Sequence, residues 1–531
     1  MGVLLLLSMA GLLLLPFLCK QGLTDPDESA YVESVREMRD SGEWLVPRLY
    51  GQPILDKPIL IYWVIGASFR LFGENPFAAR LPSVLAGVAL LFVLRRLGTL
   101  LLGSARAGLL SALILASSLE FVLLGRAAVT DMLLTLFCTL AILLNLERLW
   151  AGGSKHLPLA AAACMGLAVL TKGPVGLVIG TLALGACLAG SGEWRWKQLS
   201  ELRPLASLAV FSAVALPWYA VVVMRRPDLL KGFVLGGNLG RFMRAEHRPQ
   251  PPLYYIVVLV IGFLPWSSFL PGSMGRALAA WKSGETRRRL LVPTLWLLAL
   301  MAFFTLAASK LPSYILPVLP AAAILAAEPL SSWMEPIDGT RRTRGTGALV
   351  LLVILAGAMV FFAMGQQNLG SIPGSFKQAL LPVCFAGLLG SLFVLSSLLL
   401  KRPLIGLILL LGGNFALIFS LLFFGFPLLE PWKTSKGAAA AVRPMLQHDD
   451  RIILYRVHHP GFGYYLHRIP DLVNDESELT RRLEDKQRVF CLMSHTQYVK
   501  LKTRHPQIPM YLLKSEGNVA VVTNRHPGGF P

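Results

Sequence analysis

Charged residues are scarce in this 531-residue chain, and their scarcity determines its class. Only 15% of its residues are charged and 54% are hydrophobic, whereas an average soluble domain has about 25% charged residues. Apolar runs of about 18 residues or more recur along the chain, and each is long enough to cross about 30 Å of hydrocarbon. Because these runs are rich in Leu, Ala and Val and are separated by short polar loops, they predict a polytopic α-helical membrane protein.

Cysteine motifs are also lacking. The chain has six cysteines, and no CxxC pair or Cys/His spacing typical of a metal site occurs among them. This pattern argues against a disulfide framework and against a structural zinc site. We predict no cofactor; a divalent metal stays possible, but the sequence does not support one.

A glycine-rich phosphate loop is absent as well, which argues against a nucleotide-activated donor. The formal net charge of +20 would suit nucleic acid, but most of the excess lies in short loops between apolar runs. The positive-inside bias and contact with anionic lipid explain this distribution better. We therefore predict membrane lipid, and no nucleic acid, as a partner.

The predicted topology has thirteen spans with a cytoplasmic N-terminus, because the loops on the inner side are then the basic ones. The spans lie near 1–19, 77–102, 107–124, 129–149, 157–171, 174–190, 204–223, 253–271, 290–308, 311–329, 347–364, 377–400 and 404–425. We interpret the first as a retained helix rather than a signal peptide, since no basic segment precedes it and no A-x-A-like site follows it.

Two domains are predicted, a transmembrane domain over 1–425 and a soluble α/β domain over 426–531, which the count of thirteen spans places on the outer side of the membrane. The transmembrane domain has two long outer loops, 20–76 and 224–252. Within the first loop, helical spacing of apolar residues predicts a helix over 29–40 lying on the membrane surface. The segment 58–73 is apolar but short for a span, so we predict an interfacial or re-entrant helix there.

Acidic residues of the membrane part are rare, and three of them lie at the outer face. Asp27 and Glu28 follow the first span, and Asp131 lies at the outer end of the fourth. Helix capping is one interpretation of each position. A functional carboxylate is the other, since an unpaired charge at the edge of hydrocarbon is costly; Arg126 offers Asp131 a partner in either case.

Basic residues gather at the same outer face, where the topological bias disfavours them. They are Lys57, Lys172, Lys310, Arg241, Arg244 and, with Asn238 beside them, His247. Contact of long side chains with lipid headgroups is one explanation. Binding of a phosphate at the membrane surface is the other. Together with the carboxylates, this second interpretation suggests a transfer reaction in which a carboxylate takes the proton of an acceptor hydroxyl and a lipid phosphate leaves.

The first loop resembles that of the aminoarabinose lipid A transferases and their relatives, the protein O-mannosyltransferases. The similarity rests on "DPDESAYVESVREMRDSGEWLVP", "LDKPILIYW" and "FAARLPS", and continues in "TDMLLTLF", "TKGP", "LPWY" and "SKLPSYILPVLP". The resemblance implies a GT-C-fold glycosyltransferase that takes its sugar from a polyprenyl phosphate, such as undecaprenyl phosphate, with inversion. It also implies a bacterial inner membrane and an active site on the periplasmic side.

By the same resemblance, Asp27 would be the catalytic base or a carboxylate that orients the acceptor, and Glu28 and Asp131 would support it. The donor phosphate would be bound by Lys57, Arg241, Lys310, Lys172 and Arg244. The substrate pocket would include Tyr31, Asp56, Asn238, His247 and Tyr314. Asp56 occupies a position that is often Glu in this family, and Ile59 occupies one that is often a second proline. Both differences are compatible with activity.

The acceptor stays open between lipid A, a protein hydroxyl and another envelope glycan. A polyprenyl-phosphate-binding or transport protein without transferase activity is the alternative. A binding protein would need the basic residues but not Asp27. A transporter is disfavoured, because the charges lie at the outer ends of spans and not at their middle.

Overall fold

A computed structural model describes most of the chain. The described residues are 2–192, 196–243, 250–279, 284–332 and 403–526. The spans predicted at 347–364 and 377–400 lie outside them, so the count of thirteen spans stays a prediction.

Up to residue 332 the described chain is helical except for one short hairpin. The α-helices are α1 (Gly2–Leu14), α2 (Asp27–Ser41), α3 (Leu60–Phe72), α4 (Pro76–Leu102), α5 (Ala105–Ala116), α6 (Leu119–Gly125), α7 (Asp131–Trp150), α8 (Leu157–Lys172), α9 (Pro174–Ser191), α10 (Trp196–Glu201), α11 (Pro204–Arg225), α12 (Pro227–Lys231), α13 (Arg241–Met243), α14 (Tyr254–Gly262), α15 (Leu270–Ala279), α16 (Gly284–Leu306) and α17 (Leu319–Ser332). The hairpin has strands β1 (Arg48–Leu49) and β2 (Gln52–Pro53). A π-helix covers Gly232–Gly240, and 3₁₀ turns cover Trp266–Phe269 and Pro312–Val318.

Leucine and alanine, the strongest apolar helix formers, dominate these helices. Proline is the first residue of α9 and α11, a position at which the backbone needs no N–H donor. Among the described residues, seven helices are long and apolar enough to cross a membrane, or nine if each of two bent pairs counts as one span. Shorter apolar helices occupy Gly2–Leu14 and Leu157–Lys172. Every span predicted within the described residues therefore contains a helix.

The predicted span 107–124 is broken into α5 and α6, which meet at an angle of 67°. The break falls at Ser117, whose own N–H still bonds the carbonyl of Leu113. Trp266 donates its indole N–H to the Ser117 hydroxyl at 3.0 Å, and Asn414 donates to the Ser117 carbonyl at 2.5 Å. Protein groups thus satisfy the polar atoms freed by the bend, which irregular backbone at membrane depth requires.

The chain after residue 402 begins with helices and ends in a small α/β domain. Its helices are α18 (Pro403–Ser420), α19 (Phe426–Lys433), α20 (Lys436–Val442), α21 (Pro460–Leu466), α22 (Glu476–Glu484) and α23 (His495–Arg504). A π-helix covers Leu421–Gly425, and a 3₁₀ turn covers Arg443–Met445. The strands are β3 (Arg451–Tyr455), β4 (Asp471–Val473), β5 (Val489–Ser494), β6 (Tyr511–Glu516) and β7 (Val519–Thr523).

The five strands form one sheet in the order β4-β3-β5-β7-β6. Strands β3, β4 and β5 are parallel, and β7 and β6 run antiparallel to their neighbours. Alternate residues of the inner strands enter two separate cores, one on each face, with Ile453 and Cys491 on one side and Ile452 and Phe490 on the other. A sheet covered on both faces explains the nearly continuous apolar runs, and the predicted α/β domain is confirmed.

Contacts divide the chain into two compact units. The bundle unit comprises Met1–Pro16, Leu55–Leu60 and Pro82–Gly425, and the sheet unit comprises Phe17–Ile54, Ile61–Leu81 and Phe426–Pro531. The predicted transmembrane domain, 1–425, includes the whole first loop. Most of that loop instead packs with the α/β domain, because α2 packs against α21 within the sheet unit.

Helix α2 also differs from the expected surface helix. Its apolar residues are buried, but Glu33, Arg36 and Glu37 are buried as well. Arg36 donates to Glu33 at 2.8 Å, and Glu37 accepts the N–H groups of the β1–β2 turn. Groups within the sheet unit therefore bond the buried polar side chains of this helix, and its place on the membrane surface stays a prediction.

Candidate active site

The bundle unit contains a cavity of about 440 Å³. Apolar side chains form most of its wall, among them Pro174, Val178, Phe233, Phe242, Phe303 and Phe304. The polar side chains of the wall belong to Asp56, Lys57, Lys172, Ser309 and Tyr314. A mostly apolar cavity of a few hundred Å³ with a small set of charged groups is the usual form of a site for an amphiphilic ligand.

Asp131 and Lys172 form an ion pair in this unit. Asp131 is the first residue of α7, Lys172 is the last residue of α8, and their Nζ and Oδ1 atoms lie 2.6 Å apart. Both side chains are largely buried, at 12% exposure for Lys172 and 8% for Asp131. The ammonium also lies 4.7 Å from the centre of the Tyr314 ring, a cation–π contact. Three of the predicted site residues thus meet at one place.

Arg126, which the sequence suggested as a partner for Asp131, donates to the carbonyls of Leu13 and Pro16 at 3.0 and 2.5 Å. Both carbonyls lie at the end of α1, where backbone acceptors lack partners within the helix. Arg126 thereby ties the end of the first helix to the turn between α6 and α7. Its basic side chain has a structural task in the bundle unit.

A double-mutant cycle tests the Asp131–Lys172 pair. We expect Asp131→Asn and Lys172→Gln to show a coupling free energy of about 1–3 kcal/mol in unfolding, since the charges are in contact and largely buried. The exposed pair Arg96–Glu147, with Arg96 63% exposed, is the matched control and should couple by less than about 1 kcal/mol. Equal coupling in both pairs would contradict the structural importance of the Asp131–Lys172 contact.

Lys57 lies just before α3 and is paired with its neighbour Asp56, with 2.7 Å between Nζ and Oδ2. The lysine side chain is 15% exposed and the aspartate 46% exposed. The lysine is therefore held at the cavity wall while the carboxylate is more accessible. Two of the predicted phosphate-binding lysines, Lys57 and Lys172, line the same cavity.

The other predicted phosphate-binding residues are placed less completely. Lys310 is 9% exposed and follows Ser309 of the cavity wall, but it is not itself a lining residue. Arg241 begins α13, and Asn238 lies in the π-helix that contributes Phe233 to the wall; the structure describes their backbone only. Arg244 and His247 lie outside the described residues.

In the sheet unit, Asp27 and Glu28 have different surroundings although they are adjacent. Asp27 is exposed as the first residue of α2. Glu28 is 3% exposed and forms a two-pronged ion pair with Arg80, at 2.8 and 2.7 Å. Arg80 also donates to the carbonyls of Leu18, Gln21 and Gly22 at 2.8–3.0 Å. This geometry makes Glu28 an anchor of the loop.

Tyr31, a predicted pocket residue, packs inside the sheet unit. It is 8% exposed, and its ring meets that of Tyr62 edge to face with 5.8 Å between the centres. The contact joins α2 to α3 and contributes to the core of the unit. A contact with substrate stays a prediction for this residue.

Asp25 is a buried carboxylate of the same loop, for which the sequence predicted no role. Its carboxylate is 1% exposed and accepts hydrogen bonds from Ser29, Ser435 and Gly461. Burial raises the pKa of Asp25, but the nearby His459 and the hydroxyls of Ser29 and Ser435 outweigh burial and lower it. Two of the three partners are more than 400 positions away in the chain, so no local spacing could have revealed them.

The sequence is similar to known membrane glycosyltransferases. Residues 56–219 match the family described as dolichyl-phosphate-mannose-protein mannosyltransferase. The undecaprenyl phosphate-alpha-4-amino-4-deoxy-L-arabinose arabinosyl transferase of Edwardsiella ictaluri is 32% identical over 346 residues, which are 63% of this chain and 60% of that protein. The enzyme of the same name from Yersinia enterocolitica is 29% identical over 377 residues, 69% of this chain and 66% of that protein. The matched region thus spans less than two thirds of the length of these relatives.

Two solved structures have a similar fold. ArnT from Cupriavidus metallidurans bound to undecaprenyl phosphate superposes with a TM-score of 0.83 at 23% identity, over 100% of this chain and 99% of that one. The archaeal oligosaccharyltransferase AglB from Archaeoglobus fulgidus superposes with a TM-score of 0.57 at 12% identity, over 100% of this chain and 74% of that one. These similarities confirm the GT-C fold, a multi-pass membrane protein and the resemblance stated from the sequence.

Proposed function

Because the chain is similar in sequence and in fold to the bacterial aminoarabinose transferases, we propose that it is an inverting glycosyltransferase. Its donor is a sugar linked to a polyprenyl phosphate such as undecaprenyl phosphate. Its acceptor is lipid A, with a protein hydroxyl or another envelope glycan as the alternatives. The observation that carries this proposal is the apolar cavity of the bundle unit, whose wall includes Lys57 and Lys172.

The cavity has the chemistry of a polyprenyl phosphate site. Its phenylalanines and valines offer an apolar surface for isoprene units, and its lysines offer point charges for a phosphate. We assign Lys57 and Lys172 to the donor phosphate, together with Arg241 and Lys310. Cationic side chains there stabilise the charge that builds up on the phosphate as it leaves.

The chemical step then needs one base. Asp27 accepts the proton of the acceptor hydroxyl, and the acceptor oxygen attacks the anomeric carbon of the sugar from the face opposite the phosphate. The bond between that carbon and the phosphate oxygen breaks, and polyprenyl phosphate leaves with the electron pair. One displacement of this kind inverts the anomeric configuration.

The proposed location is the bacterial inner membrane, with a cytoplasmic N-terminus. The basic loops between spans support this orientation through the positive-inside rule. The same orientation assigns Asp27, Lys57 and the α/β domain to the periplasmic side. Donors linked to a polyprenyl phosphate suit that side, where nucleotide sugars are not supplied.

Purified protein in lipid nanodiscs with a polyprenyl-phosphate sugar and lipid A tests the function directly. We expect a product mass increased by one sugar residue, and Lys57→Ala should raise the KM for the donor roughly 10- to 100-fold, the equivalent of losing a charge-assisted hydrogen bond. Lys20→Ala, which removes an exposed lysine of the same loop, is the control and should leave KM unchanged.

A second experiment identifies the acceptor. Mass spectrometry of lipid A, glycoproteins and surface glycans from cells with and without the gene should show a mass change in one fraction. Donor binding without turnover on any of these acceptors would overturn the transferase and favour a polyprenyl-phosphate-binding or transport protein.

A further inference from the structure

The chain segment that carries Asp27 is held from one side by residues of the region 426–531, all within the sheet unit. The carboxylate of Asp25 accepts the backbone N–H of Ser435 at 2.9 Å, the hydroxyl of Ser435 at 2.5 Å and the N–H of Gly461 at 2.8 Å. Ser29, in the first turn of α2, donates its hydroxyl to the same carboxylate. His459 lies with its Nδ1 atom 3.4 Å from the second carboxylate oxygen.

The backbone around Asp25 is held by the same region. The N–H of Asp25 donates to the carbonyl of Lys433 at 2.8 Å. The N–H of Gly22 donates to Glu430 at 2.9 Å, and the N–H of Leu23 donates to the Tyr465 hydroxyl at 2.7 Å. These three bonds and the Asp25 carboxylate together fix the chain as it enters α2.

Gly461 is required by this arrangement. A Cβ atom at that position would lie 2.8 and 2.9 Å from the two carboxylate oxygens of Asp25. Carbon and oxygen atoms do not approach so closely, and the side chain of Asp25 is enclosed and cannot move away. Only glycine lets the start of α21 donate its N–H to the buried carboxylate.

We propose that Asp25 is a positioning residue for the candidate base Asp27, and that Ser435 and Gly461 of the C-terminal region serve that purpose. This inference rests on the proposed function. Asp27 is exposed and lies two residues after Asp25, so its direction follows from the backbone of the first turn of α2. A displacement of about 1 Å between reacting groups can lower a rate about 100-fold, and rigid support is the usual remedy. The C-terminal region thereby contributes to the chemistry through its hydrogen bonds to Asp25.

These hydrogen bonds require the side chain of Asp25 to be a carboxylate. Four hydrogen bonds reach its two oxygens, two on each. An asparagine offers only one accepting oxygen and would turn its NH₂ group towards two donors. Asp25→Asn therefore keeps the shape of the side chain but leaves buried donors without acceptors, which loosens the segment 24–30.

Asp25→Asn is the first test, with Asp450→Asn as the matched control. Asp450 has a carboxylate that is 5% exposed and accepts from Arg488 at 2.7 Å and from the N–H of Gln447 at 2.6 Å, in the same unit. We expect Asp25→Asn to lower kcat about 100-fold with the KM for the donor unchanged. At a matched folded fraction, Asp450→Asn should keep the kcat of the wild type. Wild-type kcat in Asp25→Asn, or an equal loss in both variants, would overturn the positioning role.

Amide hydrogen exchange gives a second measurement that does not depend on activity. Peptides covering 24–30 should exchange at least about tenfold faster in Asp25→Asn than in the wild type, and at the wild-type rate in Asp450→Asn. Unchanged exchange in Asp25→Asn would overturn the proposal even if the enzyme were inactive. If the wild-type protein transferred no sugar at all, the proposed function would fail, and this measurement alone would decide whether Asp25 orders the segment.

Gly461→Ala and Ser435→Ala keep the test valid if Asp25→Asn does not fold. The alanine methyl group at 461 would push against the carboxylate, whereas loss of the Ser435 hydroxyl removes one of four bonds. We expect both variants to lower kcat and to speed exchange over 24–30, Gly461→Ala more strongly. The reverse order, or faster exchange without any loss of kcat, would contradict the inference.

Discussion

Replacing Asp27 with asparagine should strongly slow sugar transfer while the protein still folds and still binds its donor. The side chain is exposed at the first position of α2, so the substitution creates no cavity. Loss of a general base typically lowers a rate by about 10² to 10⁴. We therefore expect kcat to fall by that factor in the nanodisc assay, with the KM for the donor unchanged.

Asp40→Asn provides a control on the same helix. Asp40 lies near the end of α2, is 49% exposed and contacts Arg36 and Arg39, so it matches Asp27 in exposure and in residue type. Its substitution should leave kcat unchanged. Unchanged turnover in Asp27→Asn would refute the assignment of the base. If the assignment is right, Asp27→Glu should retain part of the activity, because it keeps a carboxylate on a longer side chain.

The membrane spans and the α/β domain were predictable from the sequence because their signals are local. A run of leucine and alanine indicates a helix wherever it lies, and Ile452 to Tyr455 indicates a buried strand by composition alone. The bend between α5 and α6 was not predictable, since the groups that satisfy it come from Trp266 and Asn414. Strand β6 is harder to predict, because it lies at the edge of the sheet and its sequence, YLLKSE, has no clear alternation.

The candidate site was only partly predictable, because its contacts join residues that are far apart in the chain. Rarity of charge singled out Asp131 and Lys172, but their pairing across 41 positions was visible only in the structure. Arg80 lies in the motif FAARLPS, but its ion pair with Glu28 was not predicted. Contacts at long sequence separation carry no periodic signal, so a sequence indicates which side chains are costly to bury but not which of them meet.

Removing the guanidinium of Arg80 should destabilise the protein more than any other single change proposed. Arg80 is 3% exposed, pairs with a carboxylate of equal burial and donates to three backbone carbonyls. Arg80→Met would leave the Glu28 charge buried without its cation, which costs about 3–5 kcal/mol. Unfolding in mixed micelles should report a loss of that size. Arg39→Met is the control, because Arg39 is 48% exposed in its pair with Glu74, and it should cost less than about 1 kcal/mol.

The double variant Arg80→Met with Glu28→Gln separates the charge from the carbonyl contacts. Neutralising Glu28 removes the buried charge, so the double variant should be more stable than Arg80→Met alone. The loss of unfolding free energy that remains, relative to the wild type, comes from the carbonyls of Leu18, Gln21 and Gly22, which lose a donor. Glu28→Gln alone then distinguishes the two roles of this residue. If Glu28 acts as an anchor, stability and kcat fall together in that variant, and hydrogen exchange over 24–30 rises. A loss of kcat with wild-type stability and exchange would instead give Glu28 a direct part in the chemistry, as the resemblance implies for Asp27.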